Sequence, residues 1–281
     1  MKPENFAWLC RHLQDNTGLV LSSDKMYLVE SRLTPVARKH LLGGLDALVE
    51  TLRSQRSREL ERDVIDAMMT NESFFFRDGK PFEQFRHFVL PRMLQGRAAQ
   101  RTIRIWSAAC STGQEPYTIA MILKEEEAKL AGWKVEIVAT DISHEALARA
   151  RSGIYSQFEV QRGLPIQLLI KYFTQDGDRW QIMPELRAMV QFREFNLLSD
   201  FGPLGRFDIV FCRNVLIYFD QATKAAILER ISRTMAPDGL LYLGGAETVL
   251  GVTERFVPLP TQRGIYGLAA DMQGMRCAAG A

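Results

Sequence analysis

Three stretches of this chain carry side chains that could do chemistry, and each falls where a ligand could reach it. The first is Ser107-Ala108-Ala109-Cys110-Ser111-Thr112-Gly113, a run of small residues that lets a ligand approach backbone amides. Glu115 stands just behind it, and Asp141 follows Gly113 by 28 residues. An acidic residue ending the second strand of an open sheet is placed to accept from ribose hydroxyls. The run is not G-x-G-x-x-G, because Gly113 is its only glycine. Pyrophosphate cradling is therefore poorly supported. A nucleoside without phosphates suits the loop better, and S-adenosylmethionine (AdoMet) is the commonest cofactor of that kind.

The second stretch, Met69 to Asp78, sets polar groups and Arg77 around Phe74-Phe75-Phe76. The rings read as packing between domains, whereas a buried Arg77 needs a carboxylate or ligand partner. The third is Phe211-Cys212-Arg213-Asn214-Val215-Leu216-Ile217-Tyr218-Phe219, which follows a buried run. Asn214 and Tyr218 are either turn and packing residues or contacts at the ligand edge of a sheet. Both readings stay open on the residues alone.

The elements that must hold these groups alternate. Thr102–Trp106, Val135–Thr140, Phe207–Cys212 and Leu240–Leu243 read as strands, with Pro237-Asp238-Gly239 as a turn before the last. Helical spacing occupies Pro116–Leu130, His144–Ala150 behind a Ser143 cap, and Gln221–Met235. Strand–helix alternation of this sort predicts an α/β fold, a doubly wound parallel sheet. Asp176-Gly177 between β-formers predicts a small antiparallel insert at about 169–192. Residues 1–70 show helical periodicity only, so they predict a separate helical domain. The expected partition is 1–70 helical, 71–100 linker and start of the catalytic domain, 101–268 catalytic, and a loose tail over 269–281.

Composition narrows the class. The chain has 281 residues, 47% hydrophobic and 24% charged, with formal net charge +2, which suits a real core and disfavours a nucleic-acid binder. No apolar run approaches the ~18 residues of a membrane span. Four scattered cysteines without a CxxC argue against a disulfide scaffold and against a metal site, so no metal is expected. A reducing, cytoplasmic setting follows. From Arg32 to Arg58 six basic residues face two acidic ones. That is either a solvated helix face or a docking surface for an acidic partner.

Four motifs together carry a resemblance. T-N-E-S-F-F-F-R-D (Thr70–Asp78), W-S-A-A-C-S-T-G-Q-E-P-Y-T-I-A (Trp106–Ala120), A-T-D-I-S (Ala139–Ser143) and F-D-I-V-F-C-R-N-V-L-I-Y-F (Phe207–Phe219) resemble the chemotaxis receptor methyltransferases, the CheR family. The likeness runs from the N-terminal helices to about Gly267. It implies a helical domain, a linker and a class I AdoMet-dependent methyltransferase domain with a small β-subdomain. It implies methylation of receptor glutamates to γ-methyl esters, releasing S-adenosylhomocysteine. Carried over residue by residue, cofactor contacts fall on Asn71, Ser73, Arg77, Glu115, Asp141, Asn196, Leu197, Arg213 and Asn214. Arg77 and Tyr218 take the catalytic roles. Ser73 stands where Thr is common, and Gln114 replaces a frequent Glu.

The resemblance also gives the helical domain a partner, the acidic helices of chemoreceptors, met by Arg32, Arg38, Arg53, Arg56 and Arg58. It implies recruitment to receptor arrays, and a monomer is the default expectation. In some members the β-subdomain adds a receptor C-terminal pentapeptide as a strand, using a longer Gly-rich loop. Thr174–Arg179 is short and lacks that loop, so pentapeptide independence is expected. Competing readings are a dinucleotide oxidoreductase, which lacks its glycine loop, a non-catalytic AdoMet-binding scaffold, and a methyltransferase for another carboxylate.

Overall fold

The computed structural model describes residues 1–54 and 57–270. The chain opens with four helices, α1 (Pro3–Thr17), α2 (Met26–Lys39), α3 (Leu45–Ser54) and α4 (Arg58–Met68). Pro3 suits a first helical turn, and Ser57 caps α4 by accepting from the Leu60 amide. Leu9, Leu13, Val29, Leu33, Leu48 and Val64 close a core of their own. Among the described residues no strand interrupts this unit, as the periodicity requires.

Helices α5 (Lys80–Gln84) and α6 (Leu90–Gly96), separated by a π turn at Phe85–Val89, lead into the α/β part. There follow β1 (Thr102–Ala108), α7 (Gln114–Glu125), β2 (Lys134–Asp141), α8 (His144–Ser152), β3 (Ile154–Ser156), α9 (Gln157–Gln161) and α10 (Ile166–Tyr172). The chain continues through β4 (Phe173–Asp176), β5 (Arg179–Ile182), α11 (Pro184–Ala188), β6 (Val190–Glu194), β7 (Phe207–Cys212), α12 (Gln221–Thr234), β8 (Met235–Leu243), β9 (Phe256–Pro258) and β10 (Ile265–Leu268).

The main sheet runs β6-β2-β1-β7-β8-β10-β9. Its first five strands are parallel, in register Thr102↔Lys134 to Ala108↔Thr140 between β1 and β2. The two faces alternate along β1. Ile103 and Ile105 enter one core with Phe85 and Tyr117, while Trp106 enters the other with Phe207 and Ile227. From β1 the chain moves outward to β2 and β6, then returns to the other side for β7 and β8. That reversal is the crevice where open sheets take their ligands.

Three expectations need correction. The sheet is not wholly parallel, because β10 pairs antiparallel with both β8 and β9. The Pro237-Asp238-Gly239 turn lies inside β8, where the register shifts between Phe207 and Ile209. Pro and Gly there mark a bulge rather than a chain reversal. The insert also has other limits. The β4–β5 hairpin forms around Gly177, but its third strand is β3, upstream, and β6 pairs with β2 in the main sheet.

The helical unit touches the carboxyl edge of the sheet through the end of α1 and the connection after it. Val20 donates to the Tyr218 carbonyl at 3.1 Å, and Asn196 Nδ2 donates to the Asn16 carbonyl at 2.6 Å. Gly18 ends α1 at φ 78, and a Cβ there would lie 2.6 Å from the Phe219 ring. Gly18→Ala should therefore cost about 1–3 kcal/mol by overpacking alone. Chemical denaturation measures it, and an unchanged unfolding midpoint would refute the close approach.

Candidate functional site

At the carboxyl ends of β1, β2 and β7 lies a cavity open to solvent. Every site residue expected from the sequence lines it. Asn71, Ser73 and Arg77 come from the segment after α4, and Glu115 from the start of α7. Asp141 ends β2, Asn196 and Leu197 follow β6, and Arg213, Asn214 and Tyr218 follow β7. The loop after β1 adds Ala109, Cys110 and Ser111.

Asp141 is buried, with one carboxylate oxygen accepting from the Ser111 amide at 2.7 Å and the other from the Ser143 amide at 2.9 Å. Burial pushes its pKa up, and backbone donors from Ser143, Ser111 and Ile142 oppose that rise. Three donors leave the carboxylate acceptor capacity for a further one. Glu115 accepts from the Ser107 hydroxyl at 2.8 Å and from Arg213 Nη1 at 2.9 Å. Arg213 also donates Nη2 to Asp78 at 2.7 Å and to the Arg77 carbonyl at 2.9 Å. Its side chain is only 1% exposed, so these bonds pair a buried charge.

Arg77 differs from expectation. It is half-buried, and its guanidinium donates to the Glu72 carbonyl at 2.8 Å. Among the described residues it has no salt bridge with a carboxylate, so its charge is open to a ligand. Cys110 also lines the cavity, yet burial raises its thiol pKa well above the ordinary value. A buried neutral thiol is a poor nucleophile. Among the described residues no cluster of His, Cys, Asp or Glu could hold a metal ion, and no helix is long and apolar enough to cross a membrane.

Sequence reasoning missed two supports. Glu247 lies in the turn after β8, and its carboxylate collects four backbone amides. Asn214 and Gly244 donate to one oxygen, each at 2.7 Å, while Val215 and Leu216 donate to the other at 2.9 and 2.7 Å. Only its place beyond a strand's carboxyl end hinted at this. The second support is the helical unit itself, since Thr17 and Leu19 form part of the cavity wall.

The expected basic face is also redistributed. Arg32 turns inward and donates to the Met68 and Met69 carbonyls at 2.7 and 3.3 Å and to Thr70 Oγ1 at 3.1 Å. It braces the segment that lines the cavity, because the last carbonyls of α4 need donors. Arg53 lies 4.9 Å over the Trp8 ring. Arg38 and Arg58 are exposed, and Arg56 lies outside the described residues.

Comparison with known proteins bears on this geometry. Residues 4–69 match the family described as CheR methyltransferase, all-alpha domain, and residues 71–265 match CheR methyltransferase, SAM binding domain, SAM being AdoMet. Over 257 residues the chain is 42% identical to chemotaxis protein methyltransferase Cher2 of Pseudomonas putida, spanning 90% of this chain and 93% of that protein. Chemotaxis protein methyltransferase 1 of Pseudomonas aeruginosa is 43% identical over the same length and shares. Its namesake in Vibrio cholerae is 40% identical over 265 residues, 93% of this chain and 95% of the relative. Two domain matches in this order, across nearly the whole chain, make the protein a member of the CheR methyltransferase family.

Proposed function

We propose that this methyltransferase converts glutamate side chains on the cytoplasmic helices of chemoreceptors to γ-methyl esters, leaving S-adenosylhomocysteine. The observation that carries the reading is the gathering of all ten expected side chains around one cavity at the sheet's switch point, with Arg77 in no salt bridge among the described residues. The cavity fits AdoMet. Small residues open the loop after β1, and the buried Asp141 retains acceptor capacity for ribose hydroxyls.

AdoMet, when bound, supplies an electrophilic methyl group on a sulfonium. A glutamate carboxylate has a reference pKa near 4.3, so the acceptor is already ionised and needs no general base. A carboxylate oxygen would take that methyl directly from sulfur, which would be left as a neutral thioether, so no residue of the chain need move a proton. Alignment is the protein's main task. Arg77 orients the acceptor through a guanidinium that matches a carboxylate. Tyr218 positions donor or substrate through its hydroxyl. Arg213 holds Glu115 and the 77–78 backbone in place, while Asn71, Ser73, Asn196, Leu197 and Asn214 complete the cofactor wall.

The domain reading follows the same division. Residues 1–70 dock on the receptor and 71–100 link to the methyltransferase domain at 101–268. The tail over 269–281 lies outside the described residues from 271 onward. We place the enzyme in the cytoplasm as a monomer recruited to receptor arrays. It needs no nucleic acid, membrane insertion or metal.

Arg77→Ala should leave AdoMet binding measurable by calorimetry while lowering transfer of labelled methyl to receptor-containing membranes by about 100-fold or more. The product should be a base-labile ester. Unchanged turnover removes Arg77 from the reaction. Glu247→Gln sets an amide N–H against two backbone donors, and should cost roughly 2–3 kcal/mol of stability and weaken AdoMet binding. Denaturation and calorimetry on the same variant check both. Finally, only Gly177 and Asp178 join β4 to β5, so a free receptor C-terminal pentapeptide should not bind. Micromolar affinity in a titration would overturn that expectation.

A further inference from the structure

A second cation flanks the cavity mouth, outside the four family motifs. Arg162 follows α9 and donates Nη2 to Glu72 Oε1 at 2.7 Å, while its guanidinium carbon stands 4.3 Å from the Phe74 ring centre. The Arg77 guanidinium stands 5.6 Å from the centre of the same ring. The two cations therefore lie no farther apart than those distances combined. Between them, Glu72 gives its carboxylate to Arg162 and its carbonyl to Arg77, and Glu72 itself lines the cavity.

The pairing is of a replaceable kind. Arg162 and Glu72 side chains are 42% and 57% exposed, and solvent-facing ion pairs of this sort contribute little. Arg162 holds the Glu72 carboxyl below the usual carboxylate range, so the acid stays ionised and can be exchanged for another anion. Arg213 makes the contrast plain, being sealed between Glu115 and Asp78. One exposed carboxylate, paired with Arg162, thus lies beside a second guanidinium that takes only the Glu72 carbonyl. Phe74 presents its face to both, which favours cations there.

We propose that Arg162 is a specificity-determining residue that receives a second carboxylate of the substrate, one helical turn from the glutamate oriented by Arg77. Glu72 holds Arg162 ready and yields to the incoming acid. The substrate class this selects is a helix with paired acidic side chains on one face. Residues three or four apart on a helix place their Cβ atoms about 5–6 Å apart, a spacing that two neighbouring guanidiniums can serve. The inference rests on the methyl-transfer reading above.

The test uses full-length enzyme and two soluble helical chemoreceptor fragments, differing only at the position one turn from the acceptor glutamate. One fragment has Glu there and the other Gln. Wild type should show a KM about fivefold lower for the Glu fragment. Arg162→Ala should raise KM and abolish the difference, with kcat and the AdoMet Kd within twofold of wild type. Arg162→Lys should recover part of the preference, and Glu72→Gln should lower KM for the Glu fragment. An Arg162→Ala enzyme that keeps the wild-type ratio between fragments overturns the proposal. So does one whose AdoMet Kd moves in step with KM, since that marks a folding role. No transfer to either fragment by wild type overturns the underlying reading instead.

Discussion

A guanidinium taken out of water must be paired, and that requirement at Arg213 organises the whole site. Its partners come from distant parts of the chain, Glu115 at the start of α7 and Asp78 with the Arg77 carbonyl in the segment before α5. Phe82 lies 5.3 Å beneath it, and Phe82 in turn packs on Phe211. Satisfying one charge therefore draws together the end of β7, the first turn of α7 and the segment bearing Arg77. Removing one partner of such a pair costs about 3–5 kcal/mol, because the other charge stays buried. Glu115 is then part of the frame before it is anything else.

The backbone around this charge is held in costly conformations. Phe76, Asp78, Ala109, Ser111 and Asn214 all have positive φ, between 52 and 69°, though none is glycine. Each such residue costs of order 1–3 kcal/mol and persists only where its surroundings over-determine it. Those surroundings are visible. Asp141 grips the Ser111 amide, Glu247 grips the Asn214 amide, and Arg213 holds both the Arg77 carbonyl and the Asp78 carboxylate. A buried acid, a half-buried acid and a buried base thus aim three loops at one cavity. The ligand edge is preformed by charge and strain together.

What could be read in the sequence divides along physical lines. β1, β2 and β7 were legible because buried parallel strands are short continuous apolar runs, and α7, α8 and α12 because their periods are helical. The site residues were legible because they cluster just past those runs. β3 was missed because three residues carry no period, and its partner β5 lies across two helices. β9 and β10 are short edge strands whose pairing depends on β8. Glu247 escaped because its partners are backbone amides, which any residue supplies. Arg32 misled for a related reason. A basic residue on a helix looks solvated until the carbonyls it caps are known.

That last point alters where an acidic substrate is attracted. Of the basic residues between Arg32 and Arg58, Arg32 caps α4 and Lys39 pairs with Asp63 at 2.7 Å. Arg53, though exposed, lies against Trp8, and Arg38 and Arg58 are exposed as well. Several basic groups of the helical unit are thus engaged by carbonyls, a carboxylate or a ring, and the attraction that remains there is modest. At physiological salt the screening length is about 8 Å, so each exposed patch acts on what lies directly against it. Long-range steering by the helical face cannot then select which glutamate is presented. That selection falls to charges at the entrance itself, where a carboxylate loses water and meets Arg77 at contact distance.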